Sequence, residues 1–119
     1  MGNNPSLLSV ADQIARDWQE LGVETEVSLA ESFSQDFEAL LVTQTIPPDP
    51  DQYALWHSTQ EGNISGYKNP KIDKLLEDGR QTSDREERKQ IYLDFQRFIV
   101  EETPAIFLYH PVLYIIERR

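Results

Sequence analysis

The chain has 119 residues, a formal net charge of −10 and no cysteine. A chain of this length can build one domain with a hydrophobic core of its own. The lack of cysteine excludes disulfides, thiolate metal sites and a cysteine nucleophile. No apolar run approaches the roughly 18 residues of a membrane span, and the first residues lack the basic and apolar regions of a signal peptide.

The acidic excess lies in one block of the sequence. Between Asp17 and Tyr67 there are ten acidic residues and no Lys or Arg, whereas residues 68–119 hold ten of each sign. A negative field of this kind repels nucleic acid and anionic membrane, so neither is predicted as a partner. The simpler interpretation of the block is a solvated surface, and the alternative is a face that meets a cationic group.

Three elements are predicted in the first 45 residues. Apolar residues recur at three- and four-residue spacing over residues 6–21, which indicates an amphipathic helix, and Gly22 then supplies its C-cap. Alternation over residues 23–29 predicts a half-buried strand. Residues 37–45 predict a second strand, whose continuous apolar run at residues 39–42 indicates burial on both faces.

Two helices are predicted in the middle of the chain. The first is short, covers residues 52–58 and has Asp49 or Asp51 as its cap. The second covers residues 70–82, because Asn69 suits the N-cap and Pro70 suits the first helical position.

A long helix is predicted to follow and to run to about residue 102. Ser83 and Glu86 match the S-x-x-E pattern of a capping box, and Pro104 marks the other end. The charges of residues 85–89 are interpreted as an ordinary solvated face. Strands are predicted over residues 105–110 and 112–118, so the whole order indicates an α/β fold. The predicted inner stripe of the helix consists of Ile91, Tyr92, Phe95, Phe98 and Ile99.

Aromatic, amide and carboxylate side chains gather in the irregular stretch of residues 45–69. Tyr53 is interpreted as a residue that packs the short helix onto its neighbours. Rings and amides on loops commonly line ligand clefts. On this basis four residues are interpreted as candidate ligand contacts: Trp56, His57, Asn63 and Tyr67.

Catalytic and metal-binding chemistry has little support in the sequence. Phosphate-binding glycine loops, H-E-x-x-H and G-x-S-x-G are all absent. Asp49, Asp51 and His57 carry groups that ligate metals, but their spacing matches no known metal site. Glu61 with either aspartate would suit glycoside hydrolysis, although a chain with 21 acidic residues offers such a pair by chance. We therefore predict no enzymatic activity, no metal and no cofactor.

Five segments follow one another in a recognisable order: residues 9–27, 36–42, 47–58, 63–82 and 84–111. Together they resemble the extracellular solute-binding proteins, family 5, which are the peptide, oligosaccharide and nickel receptors of ABC importers. The resemblance runs from about Ser9 to Tyr114. It implies a type II periplasmic-binding fold of two lobes that trap a ligand between them.

The resemblance further implies that residues 1–119 form a single lobe, the C-terminal one, with a mixed sheet flanked by helices. The partners implied are a small solute, the missing lobe of the same chain and the membrane permease of an importer. The location implied is extracytoplasmic, in the periplasm or lipid-anchored at the cell surface, with the signal outside this fragment. The function implied is non-catalytic capture of the solute, and the alternative is a protein-interaction or sensory module built on such a lobe.

Peptide-binding members of the family carry a glycine–tryptophan pair and then an aspartate that pairs with the amino terminus of the peptide. The corresponding positions here are Val42, Thr43 and Ile46, and none of them matches. Asp49 or Asp51 could substitute for that aspartate, so the solute stays open among peptides, oligosaccharides and similar molecules. The predicted ligand-binding residues are Thr43, Gln44, Thr45, Ile46, Asp49, Trp56, His57, Asn63 and Tyr67.

Overall fold

The computed structural model describes residues 5–29 and 37–112. This part of the chain contains four helices: α1 (Pro5–Glu20), α2 (Tyr53–Trp56), α3 (Pro70–Gln81) and α4 (Arg85–Glu102). None of these helices is long and apolar enough to cross a membrane. The chain divides into two compact units, Met1–Ile46 and Pro47–Arg119. Two units can belong to one lobe or to two, so the single lobe over residues 1–119 stays a prediction.

Helix α1 is the amphipathic helix that the sequence predicts. On its apolar side Ala15 is buried and Trp18 is 36% exposed. The half-buried residues of that side are Leu7, Leu8, Ala11 and Ile14. After the helix, Gly22 has a φ of 85° and donates its N–H to the carbonyl of Gln19 at 2.9 Å. Because glycine has no Cβ, it adopts this left-handed conformation without strain. The predicted C-cap is therefore confirmed.

The predicted mixed sheet is wrong for the residues that the structure describes. Residues 23–29, 37–46 and 105–112 form neither helix nor strand, and most of the predicted strand over residues 112–118 lies outside the described residues. A strand is stable only when a neighbour about 4.8 Å away accepts and donates its backbone hydrogen bonds. Alternation along the chain cannot supply that neighbour. Val23, Leu29 and Val42 are 50%, 60% and 45% exposed, so neither predicted strand has the buried faces expected of it.

Helix α3 begins as the sequence predicts. The side chain of Asn69 accepts a hydrogen bond from the N–H of Lys71 at 2.9 Å, and Pro70 occupies the first helical position. This bond satisfies one of the donors that the first turn of a helix leaves free. Both predicted roles are confirmed.

The predicted cap of helix α4 is wrong by one residue. The N-cap is Asp84 and not Ser83, because the Asp84 carboxylate accepts a hydrogen bond from the N–H of Glu87 at 2.9 Å. Asp84 and Glu87 have the same spacing as a capping box, and the bond from the Glu87 N–H to the N-cap side chain is the half of that motif that is formed. At the other end, Thr103 adopts a left-handed φ of 52° immediately before Pro104. The predicted end of the helix is confirmed.

The core of the second unit lies where α3 packs against α4 and α2 packs against α3. Ile72 and Leu76 on α3 are fully buried, and each contributes about 1.5–3 kcal/mol by leaving water. The predicted stripe of α4 is confirmed, since each of its members is buried or half-buried. The buried cluster consists of Trp56, Ile72, Leu76, Tyr92, Phe95 and Ile99.

Candidate functional site

Asp49 is held by an arginine from helix α4. Its two carboxylate oxygens accept hydrogen bonds from Arg88 Nη2 at 2.8 Å and Nη1 at 3.2 Å, and Oδ1 also accepts from the N–H of Asp51 at 2.8 Å. The hydrogen bonds from Arg88 are the main cause that holds the pKa of Asp49 below its ordinary value of 3.8. The bond to Asp49 in turn raises the pKa of Arg88. The carboxylate of Asp49 is therefore ionised at neutral pH.

Asp51 is held by a second arginine, from helix α3. Arg80 donates from Nε to Asp51 Oδ2 at 2.8 Å, and Asp51 Oδ1 accepts from the N–H of Tyr53 at 3.0 Å. The latter bond places the Asp51 carboxylate next to the start of α2. The N-cap of α2 is nevertheless Gln52, without a side-chain cap bond, so the predicted cap by Asp49 or Asp51 is wrong. The guanidinium of Arg80 also lies 4.0 Å over the ring of Tyr53, within the range of a cation–π contact.

His57 is buried, with 5% of its surface exposed, and both of its ring nitrogens have partners. Nδ1 lies 2.9 Å from the Thr59 hydroxyl oxygen and 3.3 Å from the Thr59 nitrogen. Because a carboxylate only accepts, the contact with Glu77 requires a proton on Nε2. Nε2 then donates to Glu77 Oε1 at 3.3 Å. The ring also stacks on Tyr53, with 4.2 Å between centroids. His57 therefore joins α2 to α3 and offers no free nitrogen to a ligand.

Ser58 is held on helix α3 by a single carboxylate. Asp73 Oδ1 accepts from the N–H of Ser58 at 2.8 Å, and Oδ2 accepts from its hydroxyl at 2.5 Å. The hydroxyl of Ser58 thus donates to an aspartate and not to the neighbouring His57. This is not the arrangement in which a histidine activates a serine as a nucleophile.

The loop from residue 57 to residue 69 is held together by its own polar side chains. Asn63 Nδ2 donates to the carbonyl of Tyr67 at 2.7 Å, and Asn69 Nδ2 donates to the Tyr67 hydroxyl at 2.9 Å. Gly62 lies against α2, since a Cβ there would be 2.3 Å from the carbonyl oxygen of Ala54. Asn63 and Tyr67, predicted as ligand contacts, both stabilise the shape of this loop. Trp56 is only 8% exposed and belongs to the core.

The first unit ends with a segment that forms neither helix nor strand and holds the predicted contacts Thr43, Gln44, Thr45 and Ile46. All four are exposed, and the side chain of Ile46 is 62% exposed. Asp49, Trp56, His57, Asn63 and Tyr67 belong to the second unit, whereas these four residues belong to the first.

An open groove of about 780 Å³ lies between residues 48–50 and the first turns of α4. Its volume is within the range of small-molecule sites. One wall carries Pro48, Asp49 and Pro50, and the other carries Arg85 and further α4 side chains. These further side chains are Arg88, Lys89, Tyr92, Leu93 and Gln96. The groove therefore combines apolar surface with basic groups.

The ion pairs with arginine make Asp49 and Asp51 unsuited to act as a general acid or as metal ligands. A general acid needs a carboxyl group that keeps its proton near neutral pH, and Arg88 shifts the pKa of Asp49 in the opposite direction. Cationic guanidinium groups beside Asp49 and Asp51 also oppose a metal ion. Among residues 5–29 and 37–112 no group of three or more histidine or acidic side chains could hold one.

Sequence reasoning missed the residues of α3 and α4 that hold the loop. Asp73, Glu77 and Arg80 are spaced four and three residues apart, so they lie on one face of α3, and this spacing was a usable signal. Arg88 was interpreted as part of a solvated face. That interpretation is wrong for Arg88, which is half-buried and paired with Asp49. Residues 85, 86, 87 and 89 are exposed, as expected.

The chain is similar to proteins that bind peptides. It is 38% identical over 79 residues to the oligopeptide-binding protein AppA of Bacillus subtilis, an alignment that covers 64% of this chain and 14% of that protein. It is 25% identical over 126 aligned positions to the dipeptide-binding protein of Pseudomonas aeruginosa, with 93% and 23% covered. It is also 36% identical over 67 residues to Protein XP55 of Streptomyces lividans, with 53% and 12% covered.

The chain spans less than a quarter of the length of each of these relatives. No family model matches the chain, and no solved structure matches it significantly. The similarity therefore supports a relation to peptide-binding proteins over a part of their length.

Proposed function

We propose that this chain is part of a family 5 solute-binding receptor and contributes one wall of a cleft that captures a peptide or a similar solute. The receptor serves an ABC importer, acts outside the cytoplasm and performs no catalysis. The observation that carries the proposal is the similarity to an oligopeptide-binding and a dipeptide-binding protein over 64% and 93% of the chain.

The described residues have features that suit a binding wall. Asp49 and Asp51 anchor the segment before α2 to two different helices, and the loop from residue 57 to residue 69 is internally hydrogen-bonded. Binding residues are most often carried by loops that a rigid scaffold positions. The exposed residues Thr43, Thr45 and Ile46 directly precede the anchored segment in the sequence. We propose them as direct contacts to the solute.

The proposal is tested with the longest polypeptide that contains these residues, purified beside the 119-residue chain. The thermal midpoint of each is recorded with pools of short peptides, oligosaccharides and metal chelates. A ligand that binds only the folded state stabilises it by about 2.7 kcal/mol at a hundredfold excess over its dissociation constant. We expect the peptide pool to raise the midpoint of the longer protein.

The 119-residue chain should show no such shift, because a solute pocket normally buries most of its ligand between opposing walls. If only sugars or chelates raise the thermal midpoint of the longer protein, the solute is of that class and is not a peptide. No shift in the longer protein with any pool would overturn the proposal.

Two isoleucines provide a matched pair of variants. Ile46→Ala removes a proposed contact that is 62% exposed, whereas Ile64→Ala changes a residue that is 39% exposed in the internally bonded loop. We expect Ile46→Ala to weaken peptide binding about tenfold, which corresponds to about 1.4 kcal/mol of lost contact. Ile64→Ala should leave the affinity within about twofold. Equal effects of the two variants on peptide affinity would show that Ile46 does not contact the solute.

One observation favours the second candidate, a protein-interaction or sensory module. Ile106, Phe107 and Tyr109 are 73%, 64% and 56% exposed in one continuous apolar segment. Exposed apolar surface of this kind marks interaction sites. Under this candidate the longer protein responds to none of the solute pools, so the same experiment separates the two functions.

A further inference from the structure

Two acidic residues of the segment 47–53 are each paired with an arginine from a different helix. Arg88 of α4 binds both oxygens of Asp49, at 2.8 and 3.2 Å, and Arg80 of α3 binds one oxygen of Asp51 at 2.8 Å. The remaining hydrogen bonds to these carboxylates come from the backbone N–H groups of Asp51 and Tyr53. Each carboxylate therefore bonds both a cation and the segment's own backbone.

The two arginines are themselves fixed by other contacts. Arg88 donates from Nε to the carbonyl of Gly79 at 2.8 Å, and its guanidinium lies 5.1 Å over the ring of Tyr92. Gly79 lies in the last turn of α3, where the carbonyls have no partner inside the helix, so Arg88 satisfies one of them. Arg80 lies over the ring of Tyr53. The two ion pairs consequently join the segment 47–53 to both long helices of the second unit.

We propose that Asp49 and Asp51 are positioning residues that hold this segment in the binding wall, and that neither carboxylate contacts a cationic group of the solute. This inference rests on the proposed function and deepens it, since it concerns what the same site selects. The side chain of Asp49 is 60% exposed, but both of its oxygens already accept from Arg88, so a solute ammonium there would compete with a guanidinium for the same charge. Loss of the Arg88 bond to such a competitor would also weaken the anchor of the segment.

The consequence concerns the class of solute. If Asp49 and Asp51 recognised the free amino terminus of a peptide, acetylation of that terminus would abolish the contact. If they only position the wall, the two aspartates contribute equally to the binding of free and acetylated peptides. Their removal then weakens both kinds of ligand by the same factor.

The first test compares two probes on the longest polypeptide that contains these residues. The probes are a mixed-sequence tetrapeptide library with free amino termini and the same library after N-acetylation. We expect Asp49→Asn to weaken binding of the two libraries by factors that agree within about twofold. A loss of tenfold or more confined to the free library would overturn the proposal. Glu61→Gln is the control, because it removes the same charge from an exposed residue of the neighbouring loop.

The second test needs no solute and uses the 119-residue chain. Amide hydrogen exchange is measured at Asp51, whose N–H donates to Asp49. We expect Arg88→Gln to accelerate exchange at this amide at least fivefold, because the variant releases the carboxylate that accepts the bond. Arg85→Gln is the matched control, since Arg85 is an exposed arginine of the same helix that forms no ion pair within the described part of the chain.

The two tests fail in distinguishable ways. Unchanged exchange at Asp51 in Arg88→Gln overturns the positioning role whatever the solute is. Accelerated exchange without binding of either library overturns the proposed function and the selectivity that rests on it, while the anchoring of the segment by Arg88 is confirmed.

Discussion

Gly79 on α3 lies directly against the ring of Tyr92 on α4, and a Cβ at Gly79 would be 2.8 Å from Cζ of that ring. Glycine is an unfavourable residue inside a helix, by about 1 kcal/mol relative to alanine. Its presence in α3 is explained by this contact, because a Cβ would force the end of a ring that is 3% exposed to shift. The helices of the core therefore meet at a position where glycine avoids a steric conflict.

The first prediction follows from this contact. Gly79→Ala should destabilise the second unit by about 1 kcal/mol, because overpacking costs about 1–3 kcal/mol and exceeds the gain in helix propensity. Urea unfolding monitored by Trp56 fluorescence in a Trp18→Phe background measures the change. Gln90→Ala, at an exposed position of α4, is the control and should stay within about 0.5 kcal/mol. A stabilised Gly79→Ala variant would contradict the contact.

The second prediction concerns the fully buried Ile72. Ile72→Val removes one methyl group from the core and should reduce the free energy of unfolding by about 0.5–1.5 kcal/mol. The same urea unfolding measures it. The same substitution at Ile106, which is 73% exposed, should have an effect below about 0.5 kcal/mol. Equal losses at both positions would show that residue 106 is packed as tightly as residue 72.

The third prediction separates the two candidate caps of α4. Asp84→Ala should cost about 1 kcal/mol, because it removes the acceptor of the Glu87 N–H. Ser83→Ala should cost much less, since the structure does not use Ser83 as the cap. Thermal unfolding of the two variants under identical conditions decides between them. A larger loss of stability in Ser83→Ala than in Asp84→Ala would show that Ser83 is the cap, as the sequence predicts.

The fourth prediction concerns stability at acid pH. The pKa of Asp49 is below 3.8 in the folded state because Arg88 and the Asp51 N–H bind its charged form. The contribution of this group is therefore present above pH 3.8 and is lost as the pH falls through the folded pKa. Asp49→Asn should remove this part of the acid destabilisation. Asp94→Asn changes an acidic residue of α4 outside the Asp49–Arg88 pair. This variant should keep the acid destabilisation if Asp49 is responsible for it.

The fifth prediction concerns stability at alkaline pH. Burial raises the pKa of Tyr92 above its ordinary value of 10.0, so the unfolded chain loses this proton before the folded chain does. The stabilising contribution is therefore complete below pH 10 and declines as the pH rises through the folded pKa. Tyr92→Phe should remove this decline in urea unfolding series between neutral and alkaline pH. An unchanged decline in that variant would assign it to another group, and Tyr109→Phe, at an exposed tyrosine, provides the comparison.

The sequence by itself determined the helices and several of their ends. Gly22, Asn69 and Pro70 act within one turn of the helix they cap, and the stripe of α4 repeats at helical spacing. These features are readable because helical hydrogen bonds join residues four positions apart. The cap predicted for α2 is an exception, because Gln52 and neither aspartate occupies its N-cap.

Only the tertiary structure decided the rest. The predicted sheet required pairing between distant segments, which alternation at residues 23–29 cannot encode. The role of Asp49 was likewise decided by Arg88, 39 residues further along the chain. A carboxylate in a loop has the same sequence signature whether it awaits a ligand or is already paired. Contacts over such distances depend on how α3 and α4 pack, and that packing places the arginines beside the aspartates.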